Sequence, residues 1–161
     1  MKRVLTREDK AFFFSCVKRL NEETSFMQLR AYKHHLHTNT YYHSVAVAYV
    51  SFYLCRFFRW QCDEEKLIYA ALLHDYFLYD CHDGTRSKHF ITHAKVSLEN
   101  AIRDWEIDEL QANIIRRHMF PCTLIPPKYK ESVLVNVVDK LCACYEMAIP
   151  RPYHKKILGL C

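Results

Sequence analysis

The stretch Asp63-Glu64-Glu65-Lys66-Leu67-Ile68-Tyr69-Ala70-Ala71-Leu72-Leu73-His74-Asp75 opens acidic, runs apolar for seven residues and ends on an imidazole and a carboxylate. Carboxylates favour the positive end of a helix dipole, so Asp63, Glu64 and Glu65 mark a helix start. Leu67 to Leu73 is apolar on all sides, which predicts a central helix buried all round. Burying an imidazole or carboxylate costs several kcal/mol unless it is paired or ligated. His74-Asp75 therefore needs partners. Adjacent side chains diverge by about 100° on a helix, but both can reach one centre where the chain unwinds.

The same anomaly recurs along the chain. A helix predicted over 41–59 has Val47, Val50 and Leu54 on one face, and His43, four before Val47 and seven before Val50, shares it. Asp139 follows Val133-Leu134-Val135-Asn136-Val137-Val138 and precedes Leu141-Cys142-Ala143. A carboxylate there calls for a cation, and Lys140 next door points elsewhere on the helix. His118 lies three and four residues after Ile115 and Ile114, on their apolar face, and His93 joins on the shorter pattern of Ile91 and Val96. Singly, each is accounted for by a hydrogen-bonded core side chain. Jointly, these histidines and two carboxylates match a nitrogen–oxygen site for one or two divalent transition metal ions, with manganese, iron, cobalt, nickel and zinc all open. Magnesium and calcium prefer all-oxygen shells.

The 161 residues are 50% hydrophobic with only two glycines, Gly84 and Gly159, and five prolines. So few breakers predict long helices with short connections, an all-α bundle of six or seven helices. One domain over 1–161 is expected, with N-terminal helices within 6–33, a motif-bearing core over about 35–146 and a proline-containing tail over 148–161. Thr6 caps the first helix, which buries Phe12, Phe13, Cys16, Val17 and Leu20. A second, short helix starts at Thr24 or Ser25 and buries Phe26, Met27 and Leu29. Lys33 to Thr40 and Cys81 to His89 read as loops, and Pro121 to Pro127 as a break. The later helices are expected over Thr92–Arg103, Asp108–His118 and Glu131–Met147.

No apolar run is long enough to span a bilayer and the start, Met1-Lys2-Arg3, is charged at once, so neither a signal peptide nor a membrane helix is expected. The expected location is the cytoplasm. The eight cysteines are read accordingly as thiols, with Cys16, Cys55, Cys142 and Cys144 as small buried hydrophobes. Net charge is +5 and dispersed, which suits an anionic small molecule; no nucleic-acid motif accompanies it. The oligomeric state is left open.

The ordered set His43, His74-Asp75, His93, His118, Asp139 resembles the HD superfamily of metal-dependent phosphohydrolases, all-helical enzymes named for the adjacent His-Asp pair. Asn39-Thr40-Tyr41-Tyr42-His43-Ser44-Val45, Ala70-Ala71-Leu72-Leu73-His74-Asp75, Phe90-Ile91-Thr92-His93, Ile114-Ile115-Arg116-Arg117-His118 and Val137-Val138-Asp139-Lys140 carry the resemblance. It implies that His43, His74, Asp75 and Asp139 form a metal set and that His93 and His118 serve a second ion, with Asp75 bridging. It further implies hydrolysis of a phosphate ester, of a nucleotide or related small phosphorylated metabolite, by metal-activated hydroxide, with His74 and Asp75 catalytic. Two departures bear on the substrate. His74-Asp75-Tyr76-Phe77-Leu78 lacks the glycine and lysine of the HD-x-G-K form, and the GYP element of the cyclic-dinucleotide branch is missing. Candidate phosphate contacts are Lys33, His37, Arg86 and Lys140, among the further basic residues Arg30, His34, His35, Lys88, His89, Arg116 and Arg117; a solvated surface charge is the alternative for each. Asp80 is a helix-end residue, a general acid or a hydrogen-bond partner of the site's ligands. Two other functions fit the pattern: a non-catalytic HD module that senses a phosphorylated ligand, and a structural helical domain whose histidines are satisfied by hydrogen bonds.

Overall fold

The computed structural model describes residues 5–34, 38–79 and 86–149, with the backbone alone at 86–91. Among the described residues there are six α-helices, α1 (Arg7–Glu23), α2 (Thr40–Phe57), α3 (Glu64–Leu73), α4 (Arg86–Asp104), α5 (Glu109–Arg117) and α6 (Lys130–Ala148), with a 3-10 helix over Phe26–Ala31. No strand occurs among the described residues, so the fold is all-α as the sequence predicts.

Local chemistry sets most helix starts. Thr6 and Asp9 form a capping box at α1, and Asp108 with Gln111 forms another at α5. Asn39 accepts from the Tyr42 amide at α2, and Asp63 from the Lys66 amide at α3. α3 is the centre of the bundle: every side chain from Leu67 to Leu73 is buried, and α1, α2, α4 and α5 all pack against it. α6 closes the far side against α2 and α5.

Several expectations need correction. The short second helix is of the 3-10 type, and it buries Phe26 and Leu29 while Met27 is 42% exposed. Three residues per turn place Phe26 and Leu29 in line and turn Met27 outward. α4 begins at Arg86, not Thr92, so the expected loop over Cys81–His89 is helical from Arg86 onward. Its remainder, including Cys81, and Asp80 fall outside the described residues, as does the tail beyond Ile149. The reading of the cysteines as thiols fails at Cys55, which is disulfide-bonded to Cys62, and Cys144 is exposed.

The disulfide spans the corner between α2 and α3. There Trp60 N donates to Cys55 O and Arg59 N to Arg56 O, with Arg59 at φ 54°. This is the left-handed helix end usually given to glycine; here an arginine takes it, and the chain reverses soon enough to bring Cys62 back to Cys55.

Candidate metal centre

α3 stops at Leu73, and His74 is its C-terminal cap. Without a following helical turn, the chain lets His74 and Asp75 face the same interior point. His74 Nδ1 lies 2.7 Å from Ala71 O, so this nitrogen carries the proton and donates it to the carbonyl. His118 repeats the device at the end of α5, with Nδ1 2.7 Å from Ile115 O. In both rings the lone pair therefore sits on Nε2, turned into the cluster. His74 Nε2 is buried and has no hydrogen-bond partner among the described residues; nor has Asp75 Oδ1.

Asp75 stands between two sets of imidazoles. Its Oδ1 is 3.4 Å from both His93 Nε2 and His118 Nε2, and those two nitrogens are 3.0 Å apart. Its Oδ2 is 3.6 Å from His74 Nε2 and 4.0 Å from His43 Nε2. Asp139 Oδ1 completes the second set at 3.0 Å from His43 Nε2 and 3.5 Å from His74 Nε2. All six side chains are buried. Ligands bound at about 2.0–2.2 Å around one ion stand roughly 3.0–3.5 Å apart. The donor spacing and the two orphaned atoms fit a divalent ion, and groups drawn from these residues can hold one.

The electrostatics follow from this crowding. Burial pushes Asp75 and Asp139 upward, but the imidazoles around them outweigh it. His74, His118, His34 and His93 hold Asp75 well below the usual carboxylate range, and His43 and His74 do the same for Asp139. Burial likewise pushes His43 down, yet Glu146 and Asp139 bring it well above its ordinary value. His74 is raised by Asp75 and Asp139 against the same penalty.

The six residues expected to converge do so. Two neighbours were not foreseen in this place. Glu146 is fully buried and meets His43 Nδ1 with both oxygens, at 3.0 and 3.1 Å. It lies seven residues after Asp139 on the same face of α6, a spacing visible in the sequence. His34, expected only as one of the basic residues that could meet a phosphate, lies within the cluster: its Nε2 is 3.0 Å from Asp75 Oδ2 and its ring stacks on His43 at 3.8 Å.

Of the expected phosphate contacts, Lys33 is exposed beside His34. His37 lies outside the described residues, together with its neighbour His35; the side chains of Arg86, Lys88 and His89 do too. Lys140 is closer to the centre than its helical direction suggested. Its Nζ donates to His118 O (2.7 Å) and Asn136 O (3.2 Å) and sits 4.0 Å from Asp139 Oδ2. Asn136 Nδ2 reaches the carbonyls of His118 (2.6 Å) and Phe120 (2.7 Å). Together they close the C-terminal end of α5, where carbonyls lack helical partners. Asn136→Ala is expected to destabilise the fold by about 1–3 kcal/mol by stranding the Phe120 carbonyl and leaving the His118 carbonyl to Lys140 alone, and to weaken metal binding through His118. Denaturant titration and chelator competition on the same variant measure the two effects.

No curated protein and no solved structure matches the chain. The family model of the HD domain matches residues 40–144, about two thirds of the sequence and the span that carries His43, His74-Asp75, His93, His118 and Asp139. With that match and this convergence of side chains, the chain belongs to the HD domain family.

Proposed function

We propose that the protein is a metal-dependent phosphohydrolase that cleaves a phosphate ester of a nucleotide or related small phosphorylated metabolite. HD domains bind divalent metals and are in general hydrolases, which supports the reaction class. The observation that carries the reading is Asp75: one buried carboxylate whose two oxygens face two different imidazole sets. On this reading His43, His74 and Asp139 hold one ion, His93 and His118 the other, and Asp75 both. Divalent ions held there supply Lewis acidity toward phosphoryl oxygens and acidify water near neutral pH.

The chain's own residues do positional work. The Ala71 and Ile115 carbonyls fix His74 and His118 in the one tautomer that offers Nε2. Burial of the six side chains keeps bulk water from screening them, which strengthens their attraction for a cation. Exposed Lys33 and half-buried Lys140 supply positive charge that suits an anionic substrate. No side-chain nucleophile is required.

Elemental analysis of protein purified without a metal-affinity tag is expected to find at least one divalent transition metal ion per chain. With that ion supplied, at least one member of a nucleotide and aryl phosphate panel should be turned over, and Asp139→Ala should lose metal and turnover together. Stoichiometric metal with no turnover across the panel would instead assign the site to sensing a phosphorylated ligand. Full activity in Asp139→Ala would take that residue out of the centre.

A further inference from the structure

The imidazole of His43 spans two carboxylates of one helix. Its Nε2 faces Asp139 at 3.0 Å, and its Nδ1 faces both oxygens of Glu146. Glu146 has no exposure to solvent, and among the described residues no lysine or arginine pairs with it; its ion-pair partners are His43 and, at 3.6 Å, His34 Nδ1. A carboxylate buried this deeply is costly unless it is paired, and the pair here is an imidazole and not a lysine or arginine. Seated here, Glu146 puts a negative charge one ring away from the cluster and anchors the proton of His43 on Nδ1. His34 ties it to the rest of the site, since the same ring reaches Glu146 with Nδ1 and Asp75 with Nε2 while stacking on His43.

The other two fixed histidines, His74 and His118, take their tautomer from a neutral backbone carbonyl three residues back. His43 lies near the start of α2, in its first turn, and a carboxylate 103 residues away performs that task. We propose that Glu146 is a positioning residue of the centre, acting through His43: it holds the ring with Nε2 turned inward and raises its basicity toward a bound ion. The inference rests on the metal reading above but not on the hydrolysis.

Partners of this kind typically alter metal affinity or activity 10–100-fold. Zn²⁺ affinity by chelator competition is therefore expected to fall about 10–100-fold in Glu146→Leu. Glu146→Gln, which keeps an acceptor and loses the charge, should fall between that variant and the unaltered protein. In the metal-free protein at alkaline pH, where the ring has given up its extra proton, nitrogen chemical shifts of labelled histidines should show His43 protonated on Nδ1 in the unaltered protein and a mixture of tautomers in Glu146→Leu. If Glu146→Leu fails to fold, Glu146→Gln alone decides the matter by the same two measurements. Affinity within about twofold of the unaltered protein and an unchanged His43 signal in the folded variants overturn the proposal. An unaltered protein that binds no Zn²⁺ overturns it together with the metal reading. Zn²⁺ binding with the expected ranking of variants, but no turnover of any phosphate ester, sinks the hydrolysis alone and leaves the role of Glu146 standing.

Discussion

Asp75→Ala is expected to lose its metal and to reduce phosphate-ester hydrolysis by at least about 10³-fold, since the Lewis acidity forfeited is worth several kcal/mol. Among the described residues, five imidazole nitrogens lie within 4.0 Å of this carboxylate, two at Oδ1 and three at Oδ2. Its two oxygens divide these nitrogens between them. Loss of Asp75 removes a donor from both sets at once. Asp104 provides the contrast. Its carboxylate accepts from Tyr76 and pairs with Arg103, away from the cluster. Asp104→Asn should keep metal content and turnover within about twofold, at a stability cost of about 1 kcal/mol. Metal stoichiometry, turnover and circular dichroism on both variants make the comparison. An Asp75→Ala protein that keeps its metal would remove the basis of the two-set arrangement.

The second large effect is on stability against pH. In the metal-free protein His43 and His74 are raised above their ordinary values, so their contribution is full below about pH 6.5 and is lost as pH climbs through the raised values. Asp75 and Asp139 are held well below the usual range, and Glu146 is brought down to about 2, chiefly by His43 and His34 against burial. Their contribution is full above about pH 4.5 and is lost as pH falls. The metal-free protein should therefore be most stable between about pH 4.5 and 6.5 and weaken on either side. A tenfold change in proton affinity is about 1.4 kcal/mol, and 1 kcal/mol moves the thermal midpoint by about 2–4 °C in a chain of this size. A fall of several degrees between pH 6 and 9 is expected. A bound ion replaces the protons on these rings, so added Zn²⁺ should raise the midpoint more at pH 8 than at pH 5.5. A metal-free midpoint that climbs steadily from pH 6 to 9 would contradict the charge arrangement described here.

Much of the bundle is legible because its signals are local. The run Leu67–Leu73 marks its own burial, and Thr6, Asn39, Asp63 and Asp108 mark helix starts by the one hydrogen bond each can make. The six cluster residues are legible because each is a polar group at an apolar position. Glu146 escaped because the outer face of α6 is apolar too: Val133, Val137, Leu141 and Tyr145 are all 44–60% exposed. Apolar periodicity on that helix does not say which face is inside, so a carboxylate between Tyr145 and Met147 passes for a surface residue. The corner at Cys55 and Cys62 was hidden for a related reason, since the left-handed residue that turns the chain is Arg59 and not a glycine. The start of α4 was misplaced because Arg86-Ser87-Lys88-His89 offers no apolar stripe to count.

The spacing along the chain between the cluster's members has a consequence for how the molecule matures. His43 meets Glu146 across 103 positions and Asp139 across 96, and His34 meets Asp75 across 41. Contacts that close such long loops form late, after the apolar segments have collapsed. On the metal reading, a newly made chain is expected to acquire its ion last, as a seal on a nearly finished bundle and not as the seed from which the bundle grows.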